Sequence, residues 1–187
     1  MNIKFIEGNL LDSKTDVICH QVNCQGKFNS GVAKDVRIKY PNVYSEYLSL
    51  FKDPTLSHIG NIQMCNIDNN KYICNLFGQE YFGYDHKRYT SYDAVYDGLS
   101  KLKKFMIDNK LISVSFPYRM SSVRGGANWE IIYCMICEIF KDTINDMKDI
   151  IKFIYKKSEI EIDIQKEFNI IIRFLKAILE VGVFITC

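Results

Sequence analysis

The sequence predicts an α/β layered fold, and two observations carry that prediction. Short apolar strand-like runs alternate with amphipathic helical stretches from Ile3 to Tyr155. Such alternation builds a sheet covered by helices rather than a bundle. Two polar loops bearing glycine, Asn23 to Ser30 and Ser121 to Asn128, each follow a strand and open a helix. Open α/β sheets bind ligands at such places, where helix N-termini offer free N–H groups and partial positive charge.

The elements follow in order. Ile3-Lys4-Phe5-Ile6 alternates as a strand and runs into the turn Gly8-Asn9. Asp16 to Val22 is apolar enough for a central strand. From Gly31 to Tyr47 the pattern is helical. Gly60 to Met64 and Tyr72 to Phe77 read as strands joined by the turn Asp68-Asn69-Asn70. Gly78 to Arg88 is a loop rich in Gly, Tyr and basic residues. Thr90 and Asp93 resemble a capping box, and Val95, Leu99, Leu102 and Met106 form one helical stripe behind it. Leu111 to Phe116 is a buried strand ended by Pro117. Trp129 to Lys141 is a helix with Ile132, Met135, Ile136, Ile139 and Phe140 on its core face, and Ile150 to Tyr155 is a closing strand.

Composition narrows the class. The chain has 187 residues, 48% hydrophobic and 25% charged, which suits one soluble domain with a proper core. A net charge of +2 is too small to argue for nucleic acid or a membrane as partner, but tolerates an anionic ligand. Met1 leads straight into strand-like sequence, with no signal peptide and no apolar run near a membrane span. Seven cysteines then read as reduced thiols, and the expected location is cytoplasmic. Cys134 and Cys137 form a C-x-x-C pair inside a helical pattern; two small core residues on one face explain them better than zinc or redox chemistry. No metal and no cofactor are expected. The Asn-, Ile- and Lys-rich composition fits an AT-rich genome, such as a phage.

The tail differs in character. Glu159 to Ile164 alternates like a strand, and Phe168, Ile171, Ile172, Leu175 and Leu179 make a helical stripe. The division expected is a domain over residues 1–157 and a C-terminal extension over 158–187, packed on the core or forming a dimer surface.

Four motifs in order resemble the macro domain family. Cys19-His20-Gln21-Val22-Asn23-Cys24-Gln25-Gly26 followed by Ser30-Gly31-Val32-Ala33 resembles the family's first ligand loop. Phe116-Pro117-Tyr118-Arg119-Met120 and then Gly125-Gly126-Ala127-Asn128-Trp129 resemble the second loop and its helix. Gly8-Asn9-Leu10 stands where the family has Gly-Asp-Ile, and Leu76-Phe77-Gly78-Gln79 is similar to small phage and bacterial members. The resemblance covers roughly Met1 to Tyr155. It implies a three-layer α/β/α fold with a central mixed sheet, and a cleft for ADP-ribose or a related nucleotide. Ser30, Gly31, Val32 and Ala33 would clasp the diphosphate from one side. Ser121, Ser122, Val123, Arg124, Gly125, Gly126 and Ala127 would clasp it from the other, with Phe116 beside them. Gly8, Asn9 and Leu10 would meet the adenine, Asn9 accepting through its amide carbonyl or serving only as a cap. Asn23 would reach the distal ribose or brace its own turn. His20 precedes Asn23 by three positions, as in the branch resembling ADP-ribose-1''-phosphate phosphatases. It would act as acid, base or orienting group at the distal ribose, or be a core histidine.

The departures are as informative. The branch that removes ADP-ribose from carboxylate side chains uses a Lys and an Asp where this chain has Gln79 and Gly125. A Gln cannot form a Schiff base and a Gly has no acid, which argues against that mechanism. Ser121-Ser122-Val123 replaces a usual Gly-Cys-Gly, and Arg124 adds either a bidentate phosphate partner or a solvated rim charge. His58 and His86 sit in unmatched loops and are assigned no role, though His86, Lys87 and Arg88 could touch phosphate from the rim. The expected function is hydrolysis at the distal ribose by His20 and Asn23, on ADP-ribose-1''-phosphate or ADP-ribosylated macromolecules. The alternatives are capture of ADP-ribose or an NAD-derived signal without turnover, or a scaffold with a vestigial cleft.

Overall fold

The computed structural model describes residues 2–53, 55–83, 85, 87–141 and 150–155. The strand and helix expected beyond residue 158 lie outside the described residues, as does His86.

The elements run β1 (Asn2–Glu7), a 3-10 turn (Leu10–Asp12), β2 (Val17–Asn23), α1 (Gly31–Lys39), α2 (Pro41–Ser49), a second 3-10 turn (Leu50–Lys52), β3 (Ile62–Asp68), β4 (Lys71–Gln79), α3 (Tyr92–Asp108), β5 (Ser113–Pro117), α4 (Trp129–Phe140) and β6 (Ile150–Tyr155). The strands form one mixed sheet in the order β1-β6-β5-β2-β4-β3. Only β3 runs against its neighbour, through the hairpin whose Asn70 takes φ 52°. The other pairings are parallel, so those strands present their carboxyl ends along one edge.

Alternation along β2 sorts the layers. Ile18 and Val22 join Val36, Val43 and Tyr47 of α1 and α2 in one apolar cluster. Gln21 faces the other way: a Cβ on Gly78 would meet both Gln21 and Val95 of α3. The α3 helix lies close on the sheet, since a Cβ on Gly98 would fall 2.7 Å from Leu76 Cγ. Its stripe of Val95, Leu99, Leu102 and Met106 is buried as the periodicity predicts. On α4, Ile132, Ile136, Ile139 and Phe140 are buried, and Trp129, Tyr133 and Cys137 join them. Met135 is half-buried, one position off the centre of the stripe.

Three local details differ from expectation, each for a physical reason. The stretch from Gly31 to Tyr47 is two helices. Pro41 forces Tyr40 out of the helical region, to φ −132° and ψ 72°, and then opens α2 at its first turn. Ser91, not Thr90, caps α3 by accepting from the Ala94 N–H at 3.2 Å. Gly60 sits at φ 71° in a turn, so β3 starts at Ile62 and runs on to Asp68.

Aromatic packing holds the α4 side of the sheet. The buried Phe153 ring lies 5.1 Å from Phe5, 5.9 Å from Phe116, and 5.4 Å from both Trp129 and Tyr133. Phe153→Ala should cost about 3–5 kcal/mol of stability, read from urea unfolding, because no neighbour can close around so many lost contacts.

Candidate functional site

The carboxyl ends of β2, β4 and β5 open onto a cleft of about 390 Å³, within the usual range for small-molecule sites. One wall is the start of α1. Ser30 caps this helix without any side-chain hydrogen bond, so its first N–H groups stay open. Ser30, Gly31, Val32 and Ala33 all line the cleft. The α3 and α4 helices, by contrast, are capped by Ser91 and Asn128. Gly31 has φ 55° and no atom within 4 Å of where a Cβ would stand. That open space is the cleft itself, and it allows a ligand to approach the backbone closely.

The opposite wall is the loop after β5. Arg119 and Ser121 both adopt left-handed backbone, at φ 57° and 68°. Such conformations strain a non-glycine residue by on the order of 1 kcal/mol and collect at functional sites. The loop closes on itself: Ser122 N–H donates to Arg119 O, Gly126 N–H to Ser122 O and Ala127 N–H to Ser121 O, each at 3.1 Å. Gly125 has no room for a side chain, since a Cβ would lie 2.1 Å from Thr90 Oγ1 and 2.5 Å from Ser121 O. An acid at this position would not fit.

Charge in the cleft has one sign. Lys27, Arg119 and Arg124 line it, and no carboxylate appears among the described lining residues. Arg119 Nε is buried without a hydrogen-bond partner. Of the other basic residues of the rim, Lys87 pairs with Asp85 at 2.9 Å, and Arg88 lies over the Tyr92 ring at 4.6 Å. Neither is among the residues that line the cleft.

His20 and Asn23 both lie on β2 and line the cleft. His20 is buried. Its Nε2–H donates to Asn75 Oδ1 at 2.8 Å, because an amide oxygen only accepts, which leaves Nδ1 as a bare acceptor without a partner. Phe28 packs edge-on against the ring at 5.6 Å. Burial lowers the His20 pKa to about 4, against the opposing pull of the Asn75 bond. The residue is therefore neutral at pH 7. Asn23 is committed to its loop: its Nδ2 donates to Lys27 O at 2.8 Å, and its Oδ1 accepts from the Gln25 N–H at 2.8 Å and the Tyr47 hydroxyl at 3.2 Å. A second amide proton remains on Nδ2.

The expected site residues fall in four places. Ser30 to Ala33, His20, Asn23, Ser121, Val123, Arg124 and Gly125 come together in the cleft. Ser122, Gly126 and Ala127 form the inner turns of the second loop. Phe116 is fully buried against Phe140 and Phe153, a core residue beneath the loop. Gly8, Asn9 and Leu10 lie at the end of β1, outside the cleft lining; Asn9 Oδ1 caps the 3-10 turn by accepting from the Leu11 N–H at 3.2 Å, and Leu10 is in the core. Sequence reasoning missed Lys27, Phe82, Tyr118 and Arg119 as lining residues. Tyr118 and Arg119 directly follow β5, and that placement is itself a signal. It also missed the role of Gln21. Cys137 is buried, which raises its thiol to about 12. Among the described residues no group of three His, Cys, Asp or Glu side chains is placed to hold a metal.

The fold and site define a class: an α/β module with a cleft lined by basic residues at the carboxyl ends of its parallel strands. No family model matches the chain. It is similar to the ADP-ribose 1''-phosphate phosphatase of Saccharomyces cerevisiae, 27% identical over 109 residues, 56% of this chain and 62% of that protein. It is also similar to the DNA ADP-ribosyl glycohydrolase of Mycobacterium tuberculosis, 25% identical over 142 residues, 74% of this chain and 39% of that one. The chain thus spans less than two thirds of either relative. The solved macrodomain of Mycobacterium tuberculosis DarG superposes with a TM-score of 0.68 at 23% identity, covering 83% of this chain and 98% of its own. The chain thus has the macro domain fold, that of the family its two loops resemble.

The depressed His20 pKa makes stability depend on pH. Between about 4 and 6.5 the unfolded chain binds the proton and the folded chain does not, so stability falls as pH drops through that window, and His20 contributes nothing at pH 7. Urea unfolding at pH 4.5 should show a loss on the order of 2–3 kcal/mol relative to pH 7 that is absent in His20→Gln. Equal losses in both proteins would show that other groups dominate.

Proposed function

We propose that the cleft binds ADP-ribose or a close derivative and that the chain hydrolyses a bond at the distal ribose. The observation that carries the binding reading is the facing pair of walls: the uncapped start of α1 and the strained loop after β5, with Lys27, Arg119 and Arg124 between them and no carboxylate on the described lining. Backbone N–H groups at a helix start suit a diphosphate, and the cations complete its neutralisation. The base end is assigned to Asn9, outside the cleft lining, where Oδ1 keeps a second lone pair beside its bond to the Leu11 N–H. The distal ribose is assigned to Asn23, through its remaining amide proton.

For chemistry, His20 supplies a neutral imidazole whose Nδ1 is a buried acceptor without a partner and holds no proton near neutral pH. It suits orientation of a water or ribose hydroxyl better than acid catalysis. Gln79 and Gly125 leave the lysine-dependent route without its nucleophile or its acid. The names of the two relatives supply two substrate classes: a phosphate on the distal ribose, and ADP-ribose carried on DNA. Binding without turnover is the second reading, favoured by the low proton affinity of His20.

Calorimetry with ADP-ribose tests the binding. Gly31→Val should weaken it at least tenfold, because a side chain there enters the cleft and the φ of 55° costs a β-branched residue further. Wild-type affinity in that variant would remove ADP-ribose from the cleft. Release of phosphate from ADP-ribose-1''-phosphate, or of ADP-ribose from modified DNA or protein, tests the chemistry. His20→Ala should abolish release while sparing binding. Absence of turnover by the wild-type chain on all three substrates, alongside clear binding, would establish the second reading.

A further inference from the structure

One side chain joins the two halves of the cleft. Gln21 Nε2 donates to Gln79 Oε1 at 2.7 Å and to Thr90 Oγ1 at 2.9 Å, while its Oε1 accepts from Ser121 Oγ at 2.5 Å. Thr90 Oγ1 in turn donates to Ser121 O at 3.2 Å. A single amide thus ties β2 to the end of β4, to Thr90 just before the Ser91 cap of α3, and to the left-handed Ser121 of the second loop. The surroundings are cut to fit it. A Cβ on Gly78 would fall 2.5 Å from Gln21 Oε1, and one on Gly125 would fall 2.9 Å from its Nε2. The network also spends Gln79, whose Nε2 donates to Tyr81 O at 3.0 Å.

We infer that Gln21 is the positioning residue of the anion-binding loop: its amide holds Ser121 at φ 68° and so sets the loop's N–H groups against the start of α1. The role rests on the cleft reading above, and gives Gln21 a part that none of the ligand contacts assigned above includes. Only an amide fits. Two acceptors, Gln79 Oε1 and Thr90 Oγ1, need donors on one side, and the Ser121 hydroxyl needs an acceptor on the other. An apolar replacement would leave these partners unpaired in a largely buried place, and the strained turn would relax.

The test has two readouts. Hydrogen exchange on the free protein reports the loop, and calorimetry with ADP-ribose reports the consequence. In Gln21→Leu, the amides of Ser122, Gly126 and Ala127 should exchange at least tenfold faster while those within β2 and β5 keep wild-type protection. ADP-ribose affinity should fall at least tenfold. Gln21→Glu serves as the conservative variant and carries the test alone if Gln21→Leu does not fold. As a carboxylate it keeps the acceptor for Ser121 but has no donor for Gln79 and Thr90; protonated, it regains one. At pH 7, where a Glu carboxyl is ionised, its loop amides should therefore lose protection and its affinity should fall as in Gln21→Leu. Wild-type loop exchange in the variants, uniform loosening of the whole sheet, or wild-type affinity despite a loosened loop would each overturn the inference. If the wild-type chain itself does not bind ADP-ribose, the cleft reading falls, and the exchange data still decide whether Gln21 holds the loop.

Discussion

β2 is hydrogen-bonded in parallel to β4 on one side and to β5 on the other, and the rest of the site depends on that arrangement. Parallel neighbours end at the same edge, so the loops after all three strands converge there. β2 alternates like any strand, but both of its faces are covered, one by α1 and α2 and the other by α3. Consecutive residues therefore enter different environments. His20 goes to the aromatic side beside Phe28, and Gln21 goes to the polar side beside Thr90 and Ser121. A slip of one residue would exchange them and leave a glutamine among aromatic rings.

The cleft is suited to anions by several weak effects acting in one direction. An uncapped helix start, three cations and a loop in left-handed backbone each make a modest contribution. They coincide because no lining carboxylate on the described walls opposes them. Glycine is used for space at Gly125, where Thr90 and Ser121 fill the volume a side chain would need, and for access at Gly31, where the volume is left empty. The same residue type thus serves opposite purposes on the two walls.

Much of the fold was legible because strand and helix periodicities are local. The stripe of α3, the hairpin between β3 and β4 and the core face of α4 follow from spacing alone. The division of α1 from α2 was legible too, in Pro41, but helical spacing on both sides of it masked the break. The cap of α3 turned on one residue: Thr90 and Ser91 are equally good caps in sequence, and Thr90 is drawn away by Gln21 and Ser121.

The sequence by itself determined the alternation of strands and helices, the two glycine-bearing loops and the absence of a lysine and an acid at Gln79 and Gly125. These depend on residue identity and short-range spacing, which the chain carries in linear form. Tertiary structure decided the state of the side chains. It made His20 a buried neutral group, committed Asn23 to its own loop, placed Phe116 in the core, and gathered Gln21, Gln79, Thr90 and Ser121 around one amide. Burial and hydrogen-bond partners are set by residues as far as a hundred positions apart in the chain, and no local pattern encodes which of them will meet.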